Sequence, residues 1–414
     1  MSEMSDLSDK IVALVEWNAA GHHQTFFRHF SAALLGSGAT VIPLCPWKQE
    51  EIKDLVELCL GGEEKSAMGR FETPIPCNFP PSGSGRIASL RARFDQRRHF
   101  KRVAGNLTRW EQKSRKKIDL VFFCCIYDPQ FAEFPRAARF LRWPWSGLYL
   151  DSRFVRKPGT LRPYSLTPPR PDQIFSAPGL QSLAILDEGI IEETKELTQG
   201  RPVVWFPDIA DFRIADPAPT GGTIGEKIKK MAGGRKIVGC LGHLQKTKGL
   251  LELIRAAKDA RLENVFFVFV GEANLFRIPP EEQAEIIEAW EHSPQIFCHP
   301  LRVAEPTYNS AFEACDIIAA AYTDFPNSSN TLTKAAAFSK PIVVNDGYLM
   351  AERVRKYQLG EVVPEGDQNA LTEALVLLTS DSPAWTPEQA QWDAYLTMHS
   401  PTRLKEAFQE LLNG

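Results

Sequence analysis

Several signals that would classify a protein at once are missing from this sequence. No apolar run approaches the ~20 residues that a membrane-spanning helix needs, so we expect a soluble chain. The first ten residues carry acids and no apolar core, a composition typical of neither a secretory signal nor a transit peptide. We therefore expect a cytoplasmic protein.

Motifs for several common chemistries are also lacking. The eight cysteines form no Cys-x-x-Cys pair, so zinc and dithiol redox sites are not indicated, and we interpret the cysteines as buried thiols. The phosphate-binding pattern GxxxxGK followed by Ser or Thr is absent. The Gly-x-Gly at Gly36 and Gly38 closes a predicted helix, so it does not indicate a dinucleotide site.

The size and charge of the chain fit a globular protein of two domains. Its 414 residues are 43% hydrophobic and 24% charged, and the length suits two domains of roughly 200 residues each. The net charge is only -3, but residues 86–117 contain twelve Lys or Arg against two acids. This basic stretch predicts an anionic neighbour.

Apolar runs and helical spacing alternate along the first half. Strand-like runs occur at residues 10–17, 40–44, 119–125, 146–150, 173–177 and 202–206. Between the first two, the apolar residues Phe26, Phe30 and Leu34 follow helical spacing. Strand, helix, strand is the unit of a parallel sheet, so residues 1–210 are predicted to form a Rossmann-like domain.

The same alternation of strands and helices begins again after a predicted linker at 211–234. The runs KIVGCLG, VFFVFVG, QIFCHP, DIIAAA, PIVV and EVV are predicted strands, with helices near 248–260, 280–292, 306–314, 330–338, 349–357 and 368–379. They predict a second domain at 235–385, and the C-terminal helix at 386–414 could return to the first. The expected fold class is α/β, with two doubly wound parallel-sheet domains facing a central cleft.

Two turns of the second domain are candidate phosphate sites. In GCLGHLQKTKGLL (239–251) a strand ends in glycines and a helix begins after two lysines, which makes Gly242, His243, Lys246 and Lys248 candidates. In TDFPNSSNTLTK (323–334) small polar residues begin another helix. Its candidates are Ser328, Ser329, Asn330, Thr331 and Lys334. A surface turn with solvated lysines and simple helix capping are the alternatives.

Candidate acceptor-side residues lie after strands of the first domain. His22 and His23 open the first helix, and an imidazole there could deprotonate a hydroxyl, although capping or packing would explain the pair equally well. Asp128 and Asp151 each follow a strand-like run and are further candidates.

Five segments of the second half together resemble the donor domain of family 4 glycosyltransferases. They are GHLQKTKG, FVFVGE, ACDIIAAA, KAAAFSKPIVV and LGEVVPEGD. The resemblance implies a GT-B fold and places Lys248 at the diphosphate-binding lysine, with Glu272 nearby on the donor side. It is weaker in the first half, where Gly21 lies in the loop that lets the acceptor approach the backbone.

The sequence departs from that family at three positions. His243 stands where the family has Arg, and the paired glutamates of the family fall on Pro326 and Lys334. The ribose-binding role of the second glutamate is therefore unassigned. No Asp-x-Asp occurs, so the metal-dependent single-domain layout is not indicated, and we expect neither a metal nor another cofactor.

The resemblance implies transfer of a sugar from a nucleoside diphosphate sugar to a hydroxyl acceptor, with retention of configuration, in glycan, polysaccharide or glycolipid synthesis. His22, His23 and Lys248 are the expected catalytic residues. Two alternatives remain open: a nucleotide-sugar epimerase of GT-B fold, and a catalytically inactive binding protein, which the missing glutamates favour.

The basic stretch at 86–117 has three interpretations. It could be a solvated helix, or it could dock on an anionic membrane surface or lipid acceptor, because arginines and aromatics alternate in it. The second reading would place the protein at the inner face of a membrane. Nucleic acid is not expected as a partner, since the whole chain is not basic and lacks a recognition module.

Overall fold

The computed structural model divides the chain into two compact units, Met1–Ile209 with His399–Gly414, and Ala210–Met398. The residues described are 6–19, 23–77, 86–126, 137–157, 172–214, 222–276, 278–380 and 387–413. Residues 399–414 therefore belong to the first unit. The stretch predicted as a linker, 211–234, belongs to the second.

The first unit is built on a seven-stranded sheet with the order β3-β2-β1-β4-β5-β6-β7, and every adjacent pair is parallel. Its strands are β1 Ile11–Val15, β2 Thr40–Cys45, β3 Ile75–Pro76, β4 Leu120–Ile126, β5 Trp145–Tyr149, β6 Leu183–Ile185 and β7 Val203–Trp205. The central strands are buried on both faces, as parallel strands covered by helices must be.

The helices of the first unit cover both faces of this sheet, each with its own apolar core. Those in the described residues before position 210 are α1 His23–Gly36, α2 Gln49–Glu57, α3 Arg86–Ser114, α4 Arg153–Arg156, α5 Asp172–Phe175 and α6 Ile191–Leu197. The prediction of a strand at 173–177 is wrong. The run is a helical turn that buries Phe175 against Tyr149, with ring centroids 5.1 Å apart.

The C-terminal helix completes the core of the first unit. Helix α15 (Pro401–Asn413) packs against α1, and its Phe408 meets the rings of Phe30, Phe122 and Phe206. All four rings are fully buried. Burial of large aromatic side chains is the strongest apolar contribution that such a segment can make, so the helix is an integral part of this unit.

The second unit contains a six-stranded sheet with the order β12-β10-β8-β13-β14-β15, again entirely parallel. Its strands are β8 Lys236–Leu241, β10 Val265–Val270, β12 Ile296–His299, β13 Ile317–Ala320, β14 Ile342–Asn345 and β15 Gly360–Val363. The short strands β9 Leu244–Gln245 and β11 Ala273–Asn274 form a separate parallel pair. The six apolar runs of the sequence correspond to the six long strands.

Helices again cover both faces of the second sheet. They are α7 Ile224–Ala232, α8 Leu250–Ala256, α9 Pro280–His292, α10 Glu305–Ala314, α11 Asn330–Ala337, α12 Leu349–Tyr357, α13 Gln368–Thr379 and α14 Gln389–Met398. Helix α7 lies within the predicted linker, where Thr223 and Glu226 form a reciprocal capping box and Ile228 is buried. The expected α/β class with two doubly wound parallel sheets is confirmed.

Among the described residues, no helix is both long enough and apolar enough to cross a membrane.

Candidate functional site

Glycines let three backbone segments approach closely where the central strands of the second sheet end. A Cβ on Gly271 would lie 1.9 Å from the carbonyl oxygen of Gly242, and one on Gly249 would lie 2.6 Å from that of Ala321. All three glycines also have positive φ, which other residues rarely adopt. The turns after β8, β10 and β13 are therefore fixed against one another at one sheet edge.

Lys248 lies at the centre of this edge. It ends a one-turn 3₁₀ segment, Lys246–Lys248, before helix α8. Its ammonium group lies 3.4 Å from the centroid of the Tyr322 ring, and it would be 3.9 Å from a Cβ placed on Gly242. An ammonium group on an aromatic face is held by the ring quadrupole without losing its charge, so Lys248 presents a positioned cation.

Helix α8 is shorter than the predicted 248–260, since it covers Leu250–Ala256 alone. Seven residues give a weak dipole at its start. The cationic character of the first turn therefore comes from the lysines. Lys246 is exposed, and His243 lies 3.8 Å from Glu272 with both side chains largely in solvent.

The second predicted turn lies beside the first. Ser329 caps helix α11 by accepting a hydrogen bond from the N–H of Thr331, 3.3 Å away. The Tyr322 hydroxyl donates to the Thr331 hydroxyl at 3.0 Å. The N–H of Thr323 donates to the carbonyl of Thr247, also at 3.0 Å. One residue, Tyr322, thus contacts both turns, with its ring under Lys248 and its hydroxyl on α11.

Two further contacts define the second turn. Ser328 accepts a hydrogen bond of 2.8 Å from the guanidinium of Arg353, a side chain that is almost fully buried. Asn330, the first residue of α11, is partly exposed. A small hollow lined by Tyr322, Phe325 and Tyr348 adjoins this turn.

Lys334 does not face the turns as the sequence led us to expect. Its side chain is fully buried, and its ammonium donates to the carbonyl of Asp211 at 2.6 Å and to Oδ1 of Asn309 at 2.5 Å. It also lies 2.7 Å from a carboxylate oxygen of Glu305. A lysine in the second turn of a helix points sideways to its neighbours, so Lys334 joins α11 to α10.

In the first unit, His23 is a buried residue rather than one open to a substrate. Nδ1 lies 2.9 Å from the carboxylate of Glu16, and Nε2 lies 3.0 Å from the side-chain nitrogen of Asn18. Glu16 is itself buried and accepts from the N–H groups of Trp17 and Asn18. With both ring nitrogens engaged, the general-base role expected for His23 does not fit this geometry. Gly21, His22 and Asp128 lie outside the described residues.

Asp151 remains a candidate in the first unit. It follows β5, is partly buried, and accepts a hydrogen bond of 3.2 Å from the N–H of Arg153. Burial raises the pKa of its carboxyl above the usual value, while the Arg153 contacts act in the opposite direction. A carboxyl of raised pKa beside a strand end is suited to exchanging a proton with a hydroxyl.

Within the described part of the chain, one group of side chains has the composition of a metal site. Donor atoms of Glu16, His23 and Cys125 lie within 4.8 Å of one another. Glu16 is already engaged by His23 and two backbone N–H groups. Burial raises the pKa of the Cys125 thiol well above its usual value, which keeps it protonated. The group is therefore explained as an internal hydrogen-bond network.

Sequence reasoning missed the residues that tie the turns together. Tyr322 lies two residues after the apolar strand β13, and a polar aromatic residue near a strand end was the available signal. Arg353 gave no signal, because charged side chains are almost never fully buried and the sequence pattern places it among ordinary surface residues. Glu16 lies within the apolar run at 10–17, and a charged residue in such a run was the available signal.

Comparison with known proteins agrees with this fold. Residues 235–381 match the family model described as Glycosyl transferases group 1, and no curated protein sequence matches the chain. Among solved structures, sucrose-phosphate synthase from Thermosynechococcus elongatus is similar with a TM-score of 0.66 at 14% identity, covering 96% of each chain.

Two other structures are similar over nearly the whole chain. A glycosyltransferase from Rickettsia africae has a TM-score of 0.62 at 14% identity, covering 98% of this chain and 97% of its own. HepE from Anabaena, in complex with UDP and glucose, has a TM-score of 0.62 at 14% identity, with coverages of 98% and 99%. The chain thus has the GT-B fold of glycosyltransferases. Its second unit contains a glycosyl transferases group 1 domain, and the protein is a glycosyltransferase.

Proposed function

We propose that this protein transfers a sugar from a nucleoside diphosphate sugar to a hydroxyl acceptor. The observation that carries the proposal is the meeting of two turns at the ends of β8 and β13, with Lys248 as a positioned cation and the start of α11 beside it. An ammonium group and free backbone N–H groups bind phosphate well. The similar HepE structure contains UDP and glucose, which supports a nucleotide sugar as the donor.

The same arrangement suits the charge changes of the reaction. Negative charge grows on the diphosphate as the bond to the sugar breaks, and a fixed cation stabilises that charge without reorganisation. We propose that Lys248, with Lys246 and His243 near it, does this without a metal ion, and that the sugar keeps its anomeric configuration. NMR of the product would show the configuration, and activity should survive a chelator.

Replacement of Lys248 tests the donor site. A hydrogen bond to a charged group contributes about 1.5–3 kcal/mol, so Lys248→Ala should weaken binding of the preferred nucleoside diphosphate roughly 10- to 100-fold. Calorimetry with UDP, GDP and ADP measures this. Lys236→Ala is the matched control, because Lys236 is an exposed lysine at the start of β8, and the turn with Lys248 follows the opposite end of that strand. An unchanged affinity in Lys248→Ala would remove the donor site from this edge.

We propose that the acceptor hydroxyl binds at the strand ends of the first unit, where Asp151 is the described candidate. Its partly buried carboxyl of raised pKa is the support for this role. Asp151→Asn should lower the rate of transfer and leave nucleotide affinity intact. If transfer proceeds at the normal rate in this variant, the acceptor proton goes elsewhere, with His22 and Asp128 as the remaining candidates.

The basic helix α3 supports a peripheral location on an anionic membrane surface. Along its described part, Arg98, Lys101, Arg102, Arg109 and Lys113 are exposed on one side. Glu111 turns inward, where it accepts from the indole N–H of Trp143 and the N–H of Ile118. The exposed face therefore keeps its positive charge, and each basic residue near an anionic surface contributes about 1 kcal/mol.

Vesicle sedimentation tests this location. Binding to phosphatidylglycerol vesicles at low salt, but not at high salt or to phosphatidylcholine, is the expected result. The variant Arg98→Glu/Lys101→Glu/Arg102→Glu should lose it, whereas Lys227→Glu/Lys229→Glu/Lys230→Glu carries the same charge change on α7 and should retain it. Equal loss in both variants would mean that net charge, not this face, controls binding.

A further inference from the structure

The buried lysine of α11 holds a carboxylate at the sheet edge. Among the described residues, Lys334 has three oxygen partners, and two of them, the carbonyl of Asp211 and the side chain of Asn309, are neutral. A buried ammonium group needs compensating negative charge. Glu305 supplies it from the first residue of α10.

Glu305 is not buried with its partner. Its side chain is 38% exposed, while that of Lys334 is 0% exposed, and the ion pair involves one of its two carboxylate oxygens at 2.7 Å. Among the described residues, the second oxygen has no hydrogen-bond donor. The Glu305 carboxylate is therefore held by the buried Lys334 through one oxygen, and its other oxygen is an acceptor open to the solvent.

This carboxylate belongs to the same edge as the proposed diphosphate site. Glu305 follows β12, the strand beside β10. Tyr308, one helical turn further along α10, has its hydroxyl 3.3 Å from the place of a Cβ on Gly242, and its ring lies 5.6 Å from the Lys334 ammonium. Successive contacts therefore connect Glu305 to Lys334, Lys334 to Tyr308, and Tyr308 to the turn at Gly242.

The charge of Glu305 defines what it can bind. A carboxylate repels phosphate, but it accepts strong hydrogen bonds from hydroxyl groups, and its two oxygens suit a neighbouring pair of them. An anchored side chain also loses little conformational entropy on binding. We propose that Glu305 binds a pair of hydroxyls on the donor, with Lys334 as its positioning residue. This inference rests on the proposed function.

Two sources of such hydroxyls exist on a nucleoside diphosphate sugar, the ribose and the transferred sugar. The test compares the nucleoside diphosphate that binds best among UDP, GDP and ADP with its 2′-deoxy form, the corresponding nucleotide glucose, and inorganic pyrophosphate. The wild type should bind the 2′-deoxy form about tenfold more weakly if Glu305 holds the ribose. Glu305→Ala should bind both forms equally, with unchanged affinity for pyrophosphate.

If Glu305→Ala instead loses affinity for the nucleotide glucose alone, the hydroxyls belong to the sugar. If the affinities of Glu305→Ala for all these ligands equal those of the wild type, the inference is overturned. Failure of the wild type to bind pyrophosphate or any nucleotide would overturn the proposed function itself, so the two failures are distinguishable.

Two variants control for structure. Glu313→Ala removes an exposed carboxylate from α10, the helix that also carries Glu305; Glu313 pairs with Lys229 of α7, and its loss should leave every affinity unchanged. Lys334→Met removes the anchor and leaves Glu305 in place. If Lys334 positions the carboxylate, this variant should lose discrimination between the two nucleotide forms while it still binds pyrophosphate. Retained discrimination would limit Lys334 to a role in stability.

Discussion

The strand ends of the two sheets look alike in sequence and differ in burial. In the first unit, β1 is followed by Glu16, and the carboxylate, His23 and two backbone N–H groups satisfy one another out of contact with water. In the second unit, β8 is followed by a glycine turn whose partly exposed lysine, Lys248, lies on the ring of Tyr322. Polar residues at a strand end thus predict where a candidate site lies, and their burial determines whether that site can bind a ligand.

The difference is one of hydrogen-bond partners. A buried network is stable only if each member has a partner inside the protein, so loss of one member should cost stability. A charged group at the surface is satisfied by water, so its loss should change binding and leave the fold intact. The predictions below test this distinction, in order of expected size.

The largest effect should follow removal of Glu16. Glu16→Ala leaves two backbone N–H groups and the His23 ring without their acceptor in a buried site, and each buried polar group left unsatisfied costs about 1–3 kcal/mol. Urea unfolding followed by circular dichroism measures this, and Glu16→Gln should lose less because it keeps an acceptor. A Glu16→Ala protein as stable as the wild type would show that this edge is open to water.

The second effect is a loss of stability in acid that comes from His99. Burial lowers the pKa of this imidazole from 6.5 to about 4, so the folded protein holds it neutral. The resulting stability is complete above pH 6.5, is lost as the pH falls from 6.5 towards 4, and amounts to roughly 3 kcal/mol at most.

A variant without the titrating group isolates this effect. His99→Phe keeps a ring against Trp17, whose centroid lies 5.1 Å from that of the imidazole. Between pH 6.5 and 4, the difference in unfolding free energy between wild type and variant should vary with pH at the slope expected for the uptake of one proton. A difference that does not vary with pH would mean that water reaches His99, and the contrast between the two sheets would weaken.

Much of the fold could be predicted because the strands are long apolar runs. Parallel strands covered on both faces must be apolar throughout, and β4, β8 and β10 show this plainly. The pattern failed where the run was short. Residues 173–177 form a helical turn, and the three-residue β6 was not foreseen, because periodicity cannot distinguish strand from helix over so few residues.

The candidate site could be predicted less well. Strand ends and turns predicted Lys248, Ser329 and Thr331 on neighbouring turns, but they could not tell where a long side chain points. Lys334 was expected on the phosphate and instead turns to Asn309 and Glu305, because that depends on which helix lies beside α11. Neighbours of that kind are set by tertiary packing.

The smallest effect should follow loss of the Tyr322 hydroxyl. Tyr322→Phe keeps the ring under Lys248 and removes the buried hydrogen bond to Thr331, so it should lower stability by about 1 kcal/mol. It should also weaken nucleotide binding severalfold, because this bond joins the start of α11 to the residue that holds Lys248.

Thr331→Val removes the same bond from its other end and gives a double-mutant cycle. If the bond couples the two turns, the double variant should bind nucleotide no worse than either single variant, with a coupling energy of about 1 kcal/mol. Additive losses would mean that the turns act independently. In that case nucleotide binding at the second sheet would depend on Lys248 alone. A hydrogen-bond network like that of Glu16 in the first unit would then play no part in binding.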